Sequence, residues 1–336
     1  MRQTAWLSHT PTSRGLSLVE LLIAMLLGLF LTSGIVSVYL GSKRNYSYEE
    51  QAARIQENGR YAMRLLQREL TMAGFFGGVL SMDAVPPASV GTDCSTTDWA
   101  LNGLGPVELV NDYSGQSNPV SLSSTLFTCM DGADIVPFTD ILAIKRTASE
   151  ASLRNGVPAA GLTASTGEQW YLRRSNDGGP RWKKLRPIDL FDSVKAGATL
   201  TYWEASSKIF YIRKYSDSGK TGDGVPTLCM ESLAGNTVTS RCLVEGVENM
   251  QLEFGIDTDD DGVANQYKVA PSGDEMDQAV TARIHLLLRS ILKITGYRDD
   301  KTYALGQKEM AAQRDGYLRR VFSTTVHLRN RIEPIG

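Results

Sequence analysis

A single carboxylate, Glu20, interrupts an otherwise uncharged apolar run from Leu16 to Leu40. A charged side chain at the centre of a bilayer costs roughly 2.5–3.5 kcal/mol on insertion scales. Glu20 sits near one end of the run, where the cost is lower, and two readings stand. It is a charge snorkelling at the membrane edge, or a carboxylate awaiting a cation inside an assembly. If the chain is cut after Gly15, Leu16 acquires a free α-ammonium four residues before Glu20. The N-terminus of a neighbouring subunit could then meet that carboxylate after a small axial shift. A second group able to do chemistry is Asp257-Thr258-Asp259-Asp260-Asp261-Gly262. Asp257, Asp259, Asp261 and Gly262 match the opening of a calcium loop, with Asn265 at the ninth position. Lys268 stands at the twelfth, where a bidentate glutamate is expected, and no flanking helix is read after it. The competing reading is an acidic hairpin turn with Gly262 at positive φ.

Cys94, Cys129, Cys229 and Cys242 allow three connectivities. If the domain after the apolar run lies outside the membrane, its compartment is oxidising. The local pairs Cys94–Cys129 and Cys229–Cys242 are favoured over free thiols, and chain entropy assigns them about 4 and about 3 kcal/mol. Neither spacing nor context suggests zinc. Of the 3 histidines, His9 lies in a segment read as removed. His285 and His327 lie opposite the apolar face of alternating strands and are read as exposed. The sequence carries no H-E-x-x-H, G-x-S-x-G or Walker motif. The expectation is therefore a structural or interaction protein rather than an enzyme, with no cofactor required and calcium as the one candidate ion.

The elements that must position these groups follow from hydropathy. The chain has 336 residues, with 35 Lys+Arg against 37 Asp+Glu and a net charge of −2, so no basic excess for nucleic acid exists. Leu16–Leu40 makes a helix of about 37 Å, long enough for a hydrocarbon core of about 30 Å. Lys43 and Arg44 follow it, so the Lys/Arg count leaves orientation open. Residues 41–73 continue as helix, with Tyr48, Ala52, Ile55, Gly59, Ala62, Leu66 and Ala73 forming a narrow apolar stripe. Gly74, Gly77 and Gly78 supply the stop. Residues 79–138 read as a long loop region with short strands. Period-2 alternation predicts strands at Thr139–Arg146, Glu168–Arg173, Ala198–Trp203, Lys208–Arg213, Val247–Ile256, Ala279–Ile291 and Arg320–Asn330. The dense aromatics from Trp170 to Tyr215 read mostly as core, with any exposed subset available to a partner.

Gly15-Leu16-Ser17-Leu18-Val19-Glu20, after a basic leader and before an unbroken apolar helix, resembles the prepilin signal of type IV pilins and type II secretion pseudopilins. Leu16 stands where most pilins have phenylalanine. Asn58-Gly59-Arg60-Tyr61-Ala62, Leu66, Arg68-Glu69-Leu70 and Ala73-Gly74-Phe75 are similar to the post-membrane helix of PilW-type minor pilins. Gly255-Ile256-Asp257-Thr258-Asp259, Arg319–Val326 and Leu328-Arg329-Asn330 are similar to later parts of that family. The resemblance implies an α+β, type IV pilin-like fold: a long N-terminal helix on an antiparallel β domain with disulfide-closed loops. It implies a leader at 1–15, a transmembrane part at 16–40, an extracytoplasmic helical part at 41–78 and a globular domain at 79–336. A prepilin peptidase/methylase would cut between Gly15 and Leu16 and methylate the new N-terminus, and Glu20 would align subunits. The implied role is a minor pilin in a tip complex that primes type IV pilus assembly, with other minor pilins, a tip adhesin and the major pilin as partners. Such a chain would move from the inner membrane, with its domain in the periplasm, to the pilus tip at the cell surface. Adhesion and twitching motility are the associated activities. A J-type secretion pseudopilin and a membrane-anchored periplasmic enzyme or receptor are the alternatives.

Overall fold

A computed structural model describes Gly15 and residues 17–83, 85–91, 95, 98–115, 120–122, 125–192, 199–217 and 222–330. It divides into two compact units, Met1–Glu50 and Gln51–Gly336. One helix, α1, runs from Leu18 to Met72 over 55 residues. No proline falls inside it, and straight-chain helix formers dominate its second half. Gly74 stops it at positive φ (74°), with its N–H donating to Lys145 O at 3.1 Å, and Gly77 and Gly78 also adopt positive φ.

Seventeen strands follow among the described residues. The first six are β1 (Val107–Val110), β2 (Val120–Leu122), β3 (Thr125–Phe127), β4 (Ile141–Thr147), β5 (Leu153–Arg154) and β6 (Val157–Pro158). Then come β7 (Gln169–Ser175), β8 (Gly178–Leu185), β9 (Leu200–Arg213), β10 (Thr227–Ala234), β11 (Thr237–Glu245) and β12 (Val247–Ile256). The last are β13 (Gln266–Lys268), β14 (Ala279–Arg289), β15 (Tyr303–Leu305), β16 (Lys308–Met310) and β17 (Arg319–His327). The larger sheet has the order β1-β4-β9-β10-β11, with β5 and the β7–β8 hairpin also on β9. The second sheet has the order β13-β12-β14-β17, and every register between its strands is antiparallel.

The second half of α1 closes the main core. Ile55, Ala62, Met63, Leu66 and Leu70 pack with Leu142 and Ile144 of β4, Phe210 and Ile212 of β9, Met250, Leu252, Phe254 and Ile256 of β12, and Ala282, Ile284, Leu286 and Leu288 of β14. Full burial of each large aliphatic side chain contributes about 1.5–3 kcal/mol. Gly59 faces β17, where a Cβ would stand 2.4 Å from the Phe322 ring. Of the expected stripe, Tyr48 does not share the buried face; it is 43% exposed. β4 is buried on both faces, because residues from 76 to 135 cover the other side of the larger sheet. That cover includes Phe76, Trp99, Phe127 and Ile135, so the predicted loop region has a core of its own.

Charged residues lock these layers. Glu69 of α1 is 4% exposed at its side chain and accepts from Arg146 Nε and Nη2 at 2.8 and 3.0 Å, and from Lys208 Nζ at 2.6 Å. Asp140, fully buried before β4, accepts from Asp112 N–H at 2.9 Å and from Leu252 N–H at 2.7 Å, tying the two sheets together. Arg319, also buried, bonds Glu248, Asp299 and Asp315.

Several elements differ from expectation. Ala198–Trp203 and Lys208–Arg213 are not two strands: from Leu200 to Arg213 the chain is one 14-residue strand, β9. β8, β10 and β11 were not predicted. His285 is not an exposed surface residue. Its side chain is 12% exposed beneath the β15–β16 hairpin, whereas His327 is exposed as expected. Of the aromatic cluster, Tyr171, Trp182, Tyr202, Trp203, Phe210 and Tyr211 are buried, and Trp170 and Tyr215 are half-buried.

Candidate functional site

In the first unit the apolar residues from Leu18 to Leu40 are all exposed, as a helix awaiting lipid or neighbouring helices requires. This is the one described helix long and apolar enough to cross a membrane. Gly15 is exposed and a Cβ there would meet nothing within 4 Å; Leu16 and the leader residues 1–14 lie outside the described residues. Glu20 is exposed in the first turn of α1. Its N–H donates to Ser17 Oγ at 3.4 Å, and Leu21 N–H donates to Ser17 O at 3.1 Å. Ser17 therefore caps the helix, and Ser17 and Glu20 have the spacing of a capping box. A carboxylate in this turn also opposes the positive end of the helix dipole. This local role of Ser17 escaped the sequence reading, although the S-x-x-E pattern before an apolar run was in plain view.

Cys229 and Cys242 form a disulfide across the β10–β11 hairpin, where they are directly opposed in register. Cys129 is also disulfide-bonded. Cys94, its expected partner, lies outside the described residues.

The acidic loop joins β12 to β13. One ligand oxygen each of Asp257, Asp259 and Asp261 lies within 4.8 Å of the others. The loop also satisfies itself. Asp257 is buried and accepts from Gly262 N–H at 2.8 Å and from Asp261 N–H at 3.3 Å. Burial works to raise its pKa, but these backbone donors outweigh it and hold the carboxyl below the usual range. Asn265 Oδ1 accepts from Thr258 N–H at 2.6 Å, and its Nδ2 donates to Asp259 at 3.1 Å. Gly262 has φ 85°. A short helix does follow, Gly273–Asp277, with a Ser272–Glu275 capping box, and Lys268 pairs with Glu275 of that helix. Lys268 thus points to its own partner, and the twelfth ligand position of a calcium loop is empty.

An apolar N-terminal helix, antiparallel sheets packed on its second half and a disulfide-closed hairpin define an α+β protein of pilin-like architecture. Residues 209–330, from within β9 to just beyond β17, match the family model PilW, the type IV pilus-assembly protein W. The match supports a PilW-type type IV pilus protein, and with it a role in pilus assembly. No curated protein and no solved structure matches the chain.

Proposed function

We propose that this chain is a minor pilin that joins other minor pilins and a tip adhesin in the complex that initiates a type IV pilus, ahead of the major pilin. The single observation that supports this most is the continuity of α1. One unbroken helix leaves its apolar residues from Leu18 to Leu40 exposed and packs its second half on strands that include those of the PilW-matched region. In this reading the prepilin peptidase cuts after Gly15 and methylates Leu16. The helix then holds the chain in the inner membrane with the β domain in the periplasm, until the chain passes to the pilus tip. The test is Edman or mass-spectrometric sequencing of the chain from membranes, followed by co-purification of the full chain with candidate minor pilins. A mature protein that begins at a methylated Leu16 and captures minor pilins is the expected result. An intact leader would instead indicate a plain membrane anchor, and capture of secretion-system pseudopilins would move the chain to the J type.

The acidic loop enters this proposal as a weak calcium site on the extracytoplasmic part of the chain. It is supported by the convergence of Asp257, Asp259 and Asp261 within 4.8 Å. Asp259 and Asp261 are exposed, so Asp259→Asn with Asp261→Asn should leave the apo fold intact. Millimolar calcium should raise the melting temperature of the parent and not of the double variant. No rise in the parent would leave the loop as an acidic turn closed by its own backbone.

A further inference from the structure

Between Gln56 and Arg68, helix α1 buries Gly59, Ala62, Met63 and Leu66 against the sheets. The opposite side carries Arg60, Arg64 and Arg68, all exposed and each about one turn from the next. Among the described residues, no hydrogen bond, ion pair or ring contact engages any of the three guanidinium groups. Like charges four residues apart destabilise a helix, so the row weakens the element that bears it. The last turn of α1 holds no basic residue, so the row does not complement the helix dipole either. All three are arginine rather than lysine, and the planar fork of arginine is the side chain suited to a carboxylate partner.

The flank of the row that faces β11 opens into a cleft of about 630 Å³. Glu57, Asn58 and Tyr61 of α1 form one wall, and Leu243 and Glu245 of β11 belong to the other. Asn58 Nδ2 donates to Glu245 O at 3.0 Å and fixes the strand against the helix. Tyr61 is 53% exposed and follows Arg60 by one residue, at the border of row and cleft. No Lys or Arg lines the cleft. Glu57 and Glu245 are exposed, and their carboxylates have no partner among the described residues. Unpaired charges of both signs therefore lie side by side on one rigid face.

That arrangement discriminates between partners. A polyanion drawn to the arginines would press further negative charge against Glu57, three residues before Arg60, and against the acidic cleft. The whole chain adds no pull of its own, with 35 basic against 37 acidic residues. A protein surface can satisfy both signs, because its charges change at side-chain spacing. Arginine and tyrosine are also the residues that dominate interface energies. From this charge complementarity we propose that the face docks another protein subunit. That subunit presents a row of carboxylates to Arg60, Arg64 and Arg68 and inserts a lysine or arginine side chain into the cleft beside Tyr61. The choice of partner rests on the minor-pilin reading above, which makes that subunit a neighbouring minor pilin.

The test is co-purification of the full chain in detergent with each minor pilin of the same pilus system, at about 0.05 and about 0.5 M salt. Capture of at least one, weakened by high salt, is expected. Arg60→Gln, Arg64→Gln and Arg68→Gln should each weaken it about threefold to fivefold, as for exposed ion pairs. Glu57→Gln with Glu245→Gln should weaken it as well, whereas the same pair would strengthen binding of a polyanion, for which duplex DNA is the probe. Glutamine keeps the helix propensity of arginine, and melting temperatures should not fall. Unchanged capture by all these variants would overturn the docking surface and leave the minor-pilin reading in place. A parent that captures no minor pilin would overturn both. Binding of duplex DNA that the Glu57→Gln, Glu245→Gln variant strengthens would overturn the choice of a protein partner. A melting temperature lowered by the arginine substitutions would do the same, since the row would then serve this chain's own fold.

Discussion

Glu69 is held by cations from two different strands, Arg146 of β4 and Lys208 of β9, and this determines what its loss does. Glu69→Ala leaves Arg146 buried without a counter-charge, which costs about 3–5 kcal/mol. That is a large part of a typical stability of about 5–15 kcal/mol. Urea unfolding should show the loss, and adding Arg146→Met should recover much of it, since the penalty lies in the orphaned charge. Burial works to raise the Glu69 pKa, but Arg146 and Lys208 outweigh it and bring it below 4.5. Its contribution is therefore present above about pH 4.5 and is lost as the pH falls through the depressed value. Asp140 has the opposite sign. Burial pushes its carboxyl up to about 7, against the N–H donors of Asp112 and Leu252. The folded state thus holds a proton that the unfolded chain releases near pH 4, and stability should fall as the pH rises from about 4 to about 7. Asp140→Asn should be less stable at low pH yet lack that slope. A melting-temperature profile across this window, parent minus variant, checks it; parallel curves would remove Asp140 as the titrating group. The sequence placed neither residue in a role. Glu69 stood in a motif, but only the fold brings β4 and β9 to it.

Helix α1 shows two magnitudes in competition at Gly59. Glycine in a helix interior costs about 1 kcal/mol relative to alanine. The Phe322 ring sits where the alanine methyl would go, and overpacking of this kind costs about 1–3 kcal/mol. Gly59→Ala should therefore be neutral to destabilising by about 2 kcal/mol. With Phe322→Leu beside it, the same substitution should become stabilising. A Gly59→Ala single variant more stable than its parent would show that the ring swings aside freely. The β10–β11 hairpin offers a second test at this scale. Reducing Cys229–Cys242 should lower stability by about 3 kcal/mol, while membrane insertion persists because residues 16–40 contain no cysteine. The strand Val247–Ile256 was legible because Met250, Leu252, Phe254 and Ile256 alternate along most of its length. β8 was not, since it opens on Gly178-Gly179-Pro180 and alternates poorly. β11 was hidden for another reason: it is an edge strand with mostly exposed residues, so no hydrophobic period marks it.

For the whole molecule, substitution of Glu20 tests its proposed role in assembly. Glu20→Ala removes a costly charge from the apolar segment and should insert at least as well as the parent. Processing after Gly15 should persist, because Glu20 lies beyond the scissile bond. Pilus number at matched protein level should collapse. An unpaired α-ammonium left in a helix bundle costs on the order of 3–5 kcal/mol, a hundredfold or more in association. The Ser17 cap makes Glu20→Gln the informative companion. Glutamine serves a capping box as glutamate does, but carries no charge. Loss of pili in both variants is the expected outcome. Normal piliation with Glu20→Gln would assign Glu20 to helix capping instead.

Helix α1, its apolar run to Leu40, the Cys229–Cys242 pair and most central strands were written in the linear chain. Each depends on short-range features, namely hydropathic run length, period, spacing and caps, which do not require knowing what lies across the fold. The merging of two strands into β9, the Glu69 clasp, the contact of Gly59 with Phe322 and the burial of His285 were decided by tertiary structure. In each, residues far apart in the chain meet through sheet register, a covering hairpin or helix packing, and the local sequence pattern holds no record of that meeting. His285 is the clearest instance. Alternation correctly put it on the face away from the core, but the hairpin that covers this face comes from residues 303–310.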